Sequence, residues 1–254
     1  VNLILVLIVI AGGGLLIVLL GLLTFSGTFA AAGMAILFYA AWGPAGLVPA
    51  LVFLLLSSLW TRWPGRTRGR ERRRNLLQVL ANGLPGSLFA LFEIISHNGL
   101  WGLMMTASFA AAAADTWSTE WGRSLGGAPV SLRTFKATGA GESGAVSALG
   151  CLASFAGAGS VAAASRFAAG FSACETWTVL YAGFFGGIVD SLVGAWIQGH
   201  WRRPDGTWTE SRKEAGSEAS PTRGIAWVNN DVVNLLAAGA GALAALSIRS
   251  VWPG

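Results

Sequence analysis

Hydrophobic positions run in long unbroken stretches along most of this chain, and the polar residues gather in short segments between them. Apolar runs of roughly 17 to 25 residues are long enough to cross a bilayer as helices. Such runs lie near 2–23, 27–42, 45–61, 76–97, 99–117, 143–165, 171–197 and 228–250. By the length rule they predict about seven or eight spans, so the expected fold is all-α, a polytopic transmembrane helix bundle. The second and third runs are short and divided only by "WGPAG", which suits either a helical hairpin or a re-entrant pair. The first run, "VNLILVLIVIAGGGLLIVLLGLL", lacks a basic flank and a small-residue cleavage site, and reads as a span rather than a cleaved signal.

Composition agrees with the pattern. Of 254 residues, 54% are hydrophobic and 11% charged, whereas soluble domains carry about a quarter charged residues. The 35 glycines suit close helix packing in lipid. Most of the 12 tryptophans, among them Trp42, Trp60, Trp101, Trp117, Trp121, Trp201, Trp227 and Trp252, fall near the ends of runs, as an interfacial belt predicts. Cys151 and Cys174 sit in apolar segments without histidine neighbours, and His97 and His200 lack ligand spacing.

All but Arg166 and Arg249 of the 17 Lys and Arg lie in three loops, 62–75, 118–142 and 198–227. The spans between them place all three on one side, which the positive-inside rule makes cytoplasmic, or stromal in a plastid. The basic residues behind the net charge of +5 sit in these short loops, so lipid headgroups and anionic substrates, not nucleic acid, are the expected partners. Membrane lipids would surround the bundle, and a homo-oligomer is compatible with it. The last loop is mixed in charge and broken by Pro204 and Pro221, which predicts a mobile linker.

The remaining polar residues collect at the same end. Asn75, Gln78 and Asn82 share a stripe at the start of their helix. Asp115 ends the fifth run; Glu120 lies off its helical face, so the two converge only if the helix frays. Asp190 is deeper, on a side shared with Gly186, Gly187 and Gly194, where a carboxylate needs a partner. The last run begins "WVNNDVVNLL", bringing Asn230, Asp231 and Asn234 together, although amides there also serve as helix caps. Arg133 and Lys136 lead through Thr138, Gly139, Gly141, Ser143 and Gly144 into a helix expected to open at about 143. Cations, glycines and a helix start make an anion site, without Walker spacing. Carboxylates, amides and such a loop at one membrane level suit Mg²⁺ and a nucleotide's phosphates. A bundle tied together by polar side chains would show single amides of this kind, but explains four acids at one end poorly.

The ordered series "QVLANG" (78–83), "ADTWSTEWG" (114–122), "TGAGESGAVSALG" (138–150), "GGIVDSLVGAWIQ" (186–198) and "NNDVVN" (229–234) resembles the signatures of the phytyl-phosphate kinase family. The likeness covers roughly residues 70 to 245. It implies N-terminal membrane spans in 1–61 and a catalytic membrane domain in 62–254. It also implies transfer of the terminal phosphoryl group of a nucleoside triphosphate, CTP favoured, to an isoprenyl monophosphate such as phytyl or geranylgeranyl phosphate. In that reading Asp190, Asp115 and Asp231 hold Mg²⁺, with Glu120 beside them. Arg133, Lys136 and the 138–144 loop bind phosphate, while Gln78, Asn82, Asn230 and Asn234 orient ligands. The chain departs from the family's loop at Glu142 and Ser143, where smaller neutral residues are usual. Competing readings are a lipid-phosphate cytidylyltransferase, a polyprenol kinase, and a non-enzymatic transporter of phosphorylated lipid or ions. Transporters usually show repeated halves and a midplane site, and neither is legible here. A bacterial inner membrane or a plastid membrane fits the localisation.

Overall fold

In the computed structural model, which describes residues 3–62, 73–140, 142–216 and 220–252, each apolar run forms one helix. These are α1 Leu3–Leu19, α2 Phe25–Trp42, α3 Pro44–Thr61, α4 Leu76–Ser96, α5 Leu100–Leu125, α6 Ala148–Ala169, α7 Ala173–Trp196 and α8 Asn230–Val251. Six of them are long and apolar enough to cross a membrane. The exceptions are α1, which is shorter, and α5, the longest, which carries Asp115, Glu120 and Arg123.

The composition of α5 follows from its position. It packs against α3, α4, α6, α7 and α8, and every residue from Gly102 to Ala114 is buried. A helix screened from lipid on all sides needs small residues more than apolar ones. The alanines at 110–114 supply them. A Cβ on Gly183 would stand 2.5 Å from the Ala110 Cβ, and one on Gly186 would stand 2.4 Å from the Ala111 Cβ, so α7 lies against α5 nearly backbone to backbone. Phe109 extends the core toward the N-terminal helices, with its ring edge-on to Phe38 at 5.3 Å and tilted against Phe53 at 6.2 Å.

Between the two arrangements of the short second and third runs, the structure has the hairpin. Gly43 alone reverses the chain, at φ +59°, while its N–H closes α2 onto the Tyr39 carbonyl at 2.7 Å. Each arm has 18 residues, a span's length. At the far end of α4, the buried Glu93 carboxylate accepts from the N–H groups of Gly99 (3.0 Å) and Gly102 (3.2 Å), capping α5, whose own N-cap is a glycine.

Two boundaries differ from expectation. The sixth helix starts at Ala148, not about 143, because Gly144 turns left-handed at φ +75°. The next two residues then pair as a strand: β2 (Ala145–Val146) runs antiparallel to β1 (Val130–Ser131). The segment after α7 is a folded cap rather than a linker. It holds a hairpin of β3 (Trp201–Arg202) and β4 (Trp208–Thr209), bridges from Gln198 to Ile225 and from His200 to Arg223, and buried Gln198, His200, Trp201 and Thr209 side chains. This cap and the 126–147 loop lie at the end of the bundle where α4 begins. Most of the 62–75 loop, Gly141 and residues 217–219 are outside the described residues.

Candidate functional site

A polar cavity of about 210 Å³ opens at that end, between the helices and the two loops. Its floor is α5, which contributes Asp115, Thr119, Glu120 and Arg123. α5 stays helical to Leu125, so Asp115 and Glu120 reach the cavity without fraying: the void wraps around the helix. Glu120 is buried and accepts a hydrogen bond from the Thr61 hydroxyl at 3.2 Å. Trp60 holds this junction in place, packing edge-on to Trp117 and Trp121 with ring centroids 5.5 and 4.8 Å apart. These three half-buried tryptophans pack helix on helix.

Facing α5, α7 presents Asp190, whose carboxyl lies in hydrogen-bonding contact with that of Asp115. The other Asp190 oxygen, Oδ2, is out of solvent and has no hydrogen-bond partner among the described residues. From α8 come Asn230 and Asn234, one turn apart; Asn234 Oδ1 is likewise buried without a partner. From α4 come Gln78 and Asn82. Part of this amide stripe is structural: Asn75 Oδ1 accepts from Gln78 N–H at 3.1 Å, Gln78 Oε1 accepts from Asn75 N–H at 3.0 Å, and Asn82 donates to the Gln78 carbonyl. That reciprocal pair is a capping box, a signal present in the spacing of Asn75 and Gln78.

The roof is the pair of loops. Ser143 and Gly144 line the cavity, as do Ser147 and Gly150 at the start of α6. Glu142 forms an ion pair with Arg223 at 3.7 Å, and the Ser143 hydroxyl hydrogen-bonds Glu210. The two positions at which the chain departs from the expected loop pattern are therefore those that clasp one loop to the other. Glu210, which lines the cavity, had no signal of its own in the sequence, whereas Gln198 closes the 186–198 motif.

Several expected residues lie elsewhere. Arg133 and Lys136 belong to a hairpin closed by the Val130–Ala137 bridge, are exposed, and do not line the cavity; among the described residues Arg74 and Arg123 are the basic ones that do. Thr138 is also outside the lining, its hydroxyl bonded to Glu142, and Gly139 is exposed. Gly141 lies outside the described residues. Asp231 does not join the other two acids. It stands about 100° around α8 from Asn230, in the helix's first turn, where its charge complements the helix dipole. Among the described residues no group of three His, Cys, Asp or Glu side chains has the arrangement to hold a metal ion. The donors that fit a hard cation are instead two carboxylates and amide oxygens. Asp190 Oδ2 and Asn234 Oδ1 are the unpartnered ones, of the oxygen type Mg²⁺ takes.

The clasp is expected to respond to pH through His200. Burial lowers the imidazole's pKa below its ordinary value, and Arg223 adds to that. The Gln198 carbonyl, which takes the Nδ1 proton at 2.8 Å, opposes it, as do Glu210 and Glu142. The unfolded imidazole binds its proton at about pH 6.5, before the folded one does, so the cap's stability is complete above that pH and declines below it. Hydrogen exchange of residues 198–225, corrected for intrinsic rates, should show more frequent opening at pH 5.5 than at 7.5. In His200→Gln the difference should vanish; a pH step of equal size in the variant would show that another group sets it.

The chain matches the family described as "Integral membrane protein DUF92" over residues 7–242. It is 36% identical over 129 residues to "Uncharacterized membrane protein MJ0933" of Methanocaldococcus jannaschii, covering 49% of this chain and 52% of that one. It is 26% identical over 239 residues to "Protein VTE6, chloroplastic" of Arabidopsis thaliana, covering 89% of this chain and 65% of that one. The chain thus spans about half the length of the first relative and just under two-thirds of the second. No solved structure matches. A match extending from α1 into α8 makes this chain a member of the DUF92 family of integral membrane proteins.

Proposed function

We propose that the protein is a membrane kinase that transfers the terminal phosphoryl group of a nucleoside triphosphate, CTP favoured, to an isoprenyl monophosphate such as phytyl or geranylgeranyl phosphate. The observation that carries this reading is the charge arrangement of the cavity: Asp115 and Asp190 in contact, further acids around them, and Arg74 and Arg123 at the same walls. Two carboxyls in hydrogen-bonding contact share a proton, which a divalent cation bound by both would displace. The resemblance of the five motifs to phytyl-phosphate kinases, and the likeness to VTE6 over most of the chain, support the same reading.

In the reaction, an acceptor phosphate oxygen attacks the terminal phosphorus of the nucleotide. The bond from that phosphorus to the bridging oxygen breaks, and a nucleoside diphosphate leaves. The attacking oxygen is already anionic at neutral pH, so no side chain has to take a proton from it, and alignment and charge neutralisation dominate. Asp115 and Asp190 would hold Mg²⁺, with Asn230 and Asn234 supplying amide oxygens; the ion would offset phosphate charge. Arg74 and Arg123 neutralise the phosphates from the protein's side. Ser147 and Gly150, at the start of α6, line the same cavity, where the helix dipole would favour an anion. Glu120, held by Thr61, fixes the wall between α3 and α5. By the positive-inside rule this end faces the cytoplasm, or the stroma in a plastid.

The test is transfer by purified protein with Mg²⁺ and geranylgeranyl phosphate, using CTP labelled at the γ or the α phosphorus, with ATP, GTP and UTP in parallel. Label from γ in a lipid diphosphate is the expected result. Label from α would make the protein a cytidylyltransferase, and no label from any nucleotide would leave transport as the better reading.

A further inference from the structure

A second cavity, of about 240 Å³, lies between α1, α2, α3 and α4, and its lining is almost wholly apolar. It meets the polar cavity: Arg74, Gln78 and Asn82 line both. Along α2 the lining runs from Thr28 to Phe38, ten residues or about 15 Å of helix. α2 begins beside Arg74, whose carbonyl accepts the Thr24 N–H at 2.9 Å. The groove therefore starts at the polar junction and runs away from it, toward the opposite end of the bundle.

One small residue in its lining does not serve helix contact. Small residues in a membrane bundle usually let backbones touch, and across α5 and α7 they do. At Gly13 on α1 the reverse holds: this glycine lines the groove, and a Cβ there would meet nothing within 4 Å. The missing side chain leaves room.

We infer that this groove seats the isoprenyl chain of the phosphorylated acceptor, with the phosphate at the Arg74, Gln78 and Asn82 junction and the chain lying along α2 between α1 and α3. The inference rests on the kinase reading above and adds to it a function for the N-terminal helices, which set how long a chain the site accepts. Its physical basis is the continuity of one narrow apolar channel with one anionic-ligand site, matching a single-chain lipid with a phosphate at its end.

The test compares the full chain with Gly13→Leu, Gly13→Ala and Gly12→Leu in detergent, measuring binding of labelled geranylgeranyl phosphate and geranyl phosphate together with transfer to each. Gly12 is the control for changes to the α1 backbone: it is outside the groove, and a Cβ there also meets nothing within 4 Å. Gly13→Leu is expected to weaken binding of the long-chain phosphate by about tenfold or more while leaving the short-chain phosphate unchanged. Gly13→Ala should fall between, and Gly12→Leu should behave as the unaltered protein. If both chain lengths respond alike in Gly13→Leu while the unaltered protein phosphorylates both, the groove is not the chain's seat and the kinase reading stands. If the unaltered protein neither binds nor phosphorylates either lipid, both readings fall.

Discussion

Asp190→Asn is expected to reduce phosphoryl transfer by about a hundredfold to a thousandfold, the scale of removing one preorganised charge-stabilising group, without unfolding the bundle. The substitution keeps the shape of the side chain and removes one charge from a pair of acids in contact. Asp190 Oδ2 is buried without a hydrogen-bond partner, and an asparagine amide can keep the contact that the carboxyl makes with Asp115, so the fold loses no bond. Neutralising it should leave the thermal midpoint of the purified protein unchanged or raised. The same change at Asp231, which is outside the cavity, should lower transfer only a few-fold, the order of a weak helix-dipole contribution. Activity that survives Asp190→Asn, or a larger loss at Asp231, would place the charged centre elsewhere. A fall in both activity and melting temperature at Asp190 would make the residue a support of the fold.

The helices were legible in the sequence because lipid imposes a rule that each span obeys alone: its backbone bonds are internal and its outer side chains apolar. Even α5, nearly free of lipid contact, was recognisable from its length and its alanines. Asp115, Glu120, Asp190, Asn230 and Asn234 could be assigned to one end by counting spans, since each crossing reverses direction. Contacts between loops have no such periodicity. Whether Arg133 or Arg74 faces the cavity depends on a hairpin of a few residues and on the register of α4 beside α2, and both cations look alike in the sequence. The same limit explains the cap. Its prolines and mixed charges read as a linker, yet one ion pair, the Ser143–Glu210 bond and the buried Trp201 and His200 give it a fixed place. Nor did hydrophobic runs reveal the groove, since its lining is as apolar as a lipid-facing surface.

Gly144→Ala is expected to disable the site by a different route, by unseating the loop. Gly144 has φ +75°, where a side chain costs about 1 to 2 kcal/mol. A Cβ there would stand 2.5 Å from the Ala195 Cβ and 2.6 Å from the Ala195 Cα, on the backbone of α7. Overpacking of that kind costs about 1 to 3 kcal/mol. What ties the loop to the neighbouring cap is of similar size: the Glu142–Arg223 pair contributes about 1 kcal/mol or less at a partly exposed site, and the Ser143–Glu210 hydrogen bond about 1 kcal/mol. The strain should therefore be relieved by lifting the 126–147 loop, since the bundle core lies elsewhere. Transfer should fall at least about tenfold, the effect of some 1.4 kcal/mol of lost positioning, while helical content and its melting midpoint change little. Protease cleavage within 126–147 should rise. Gly139→Ala is the control in the same loop: a Cβ there meets nothing within 4 Å. Should Gly144→Ala keep full transfer and an equally protected loop, α7 must yield at Ala195, and contact with the loop would not be what shapes the cavity.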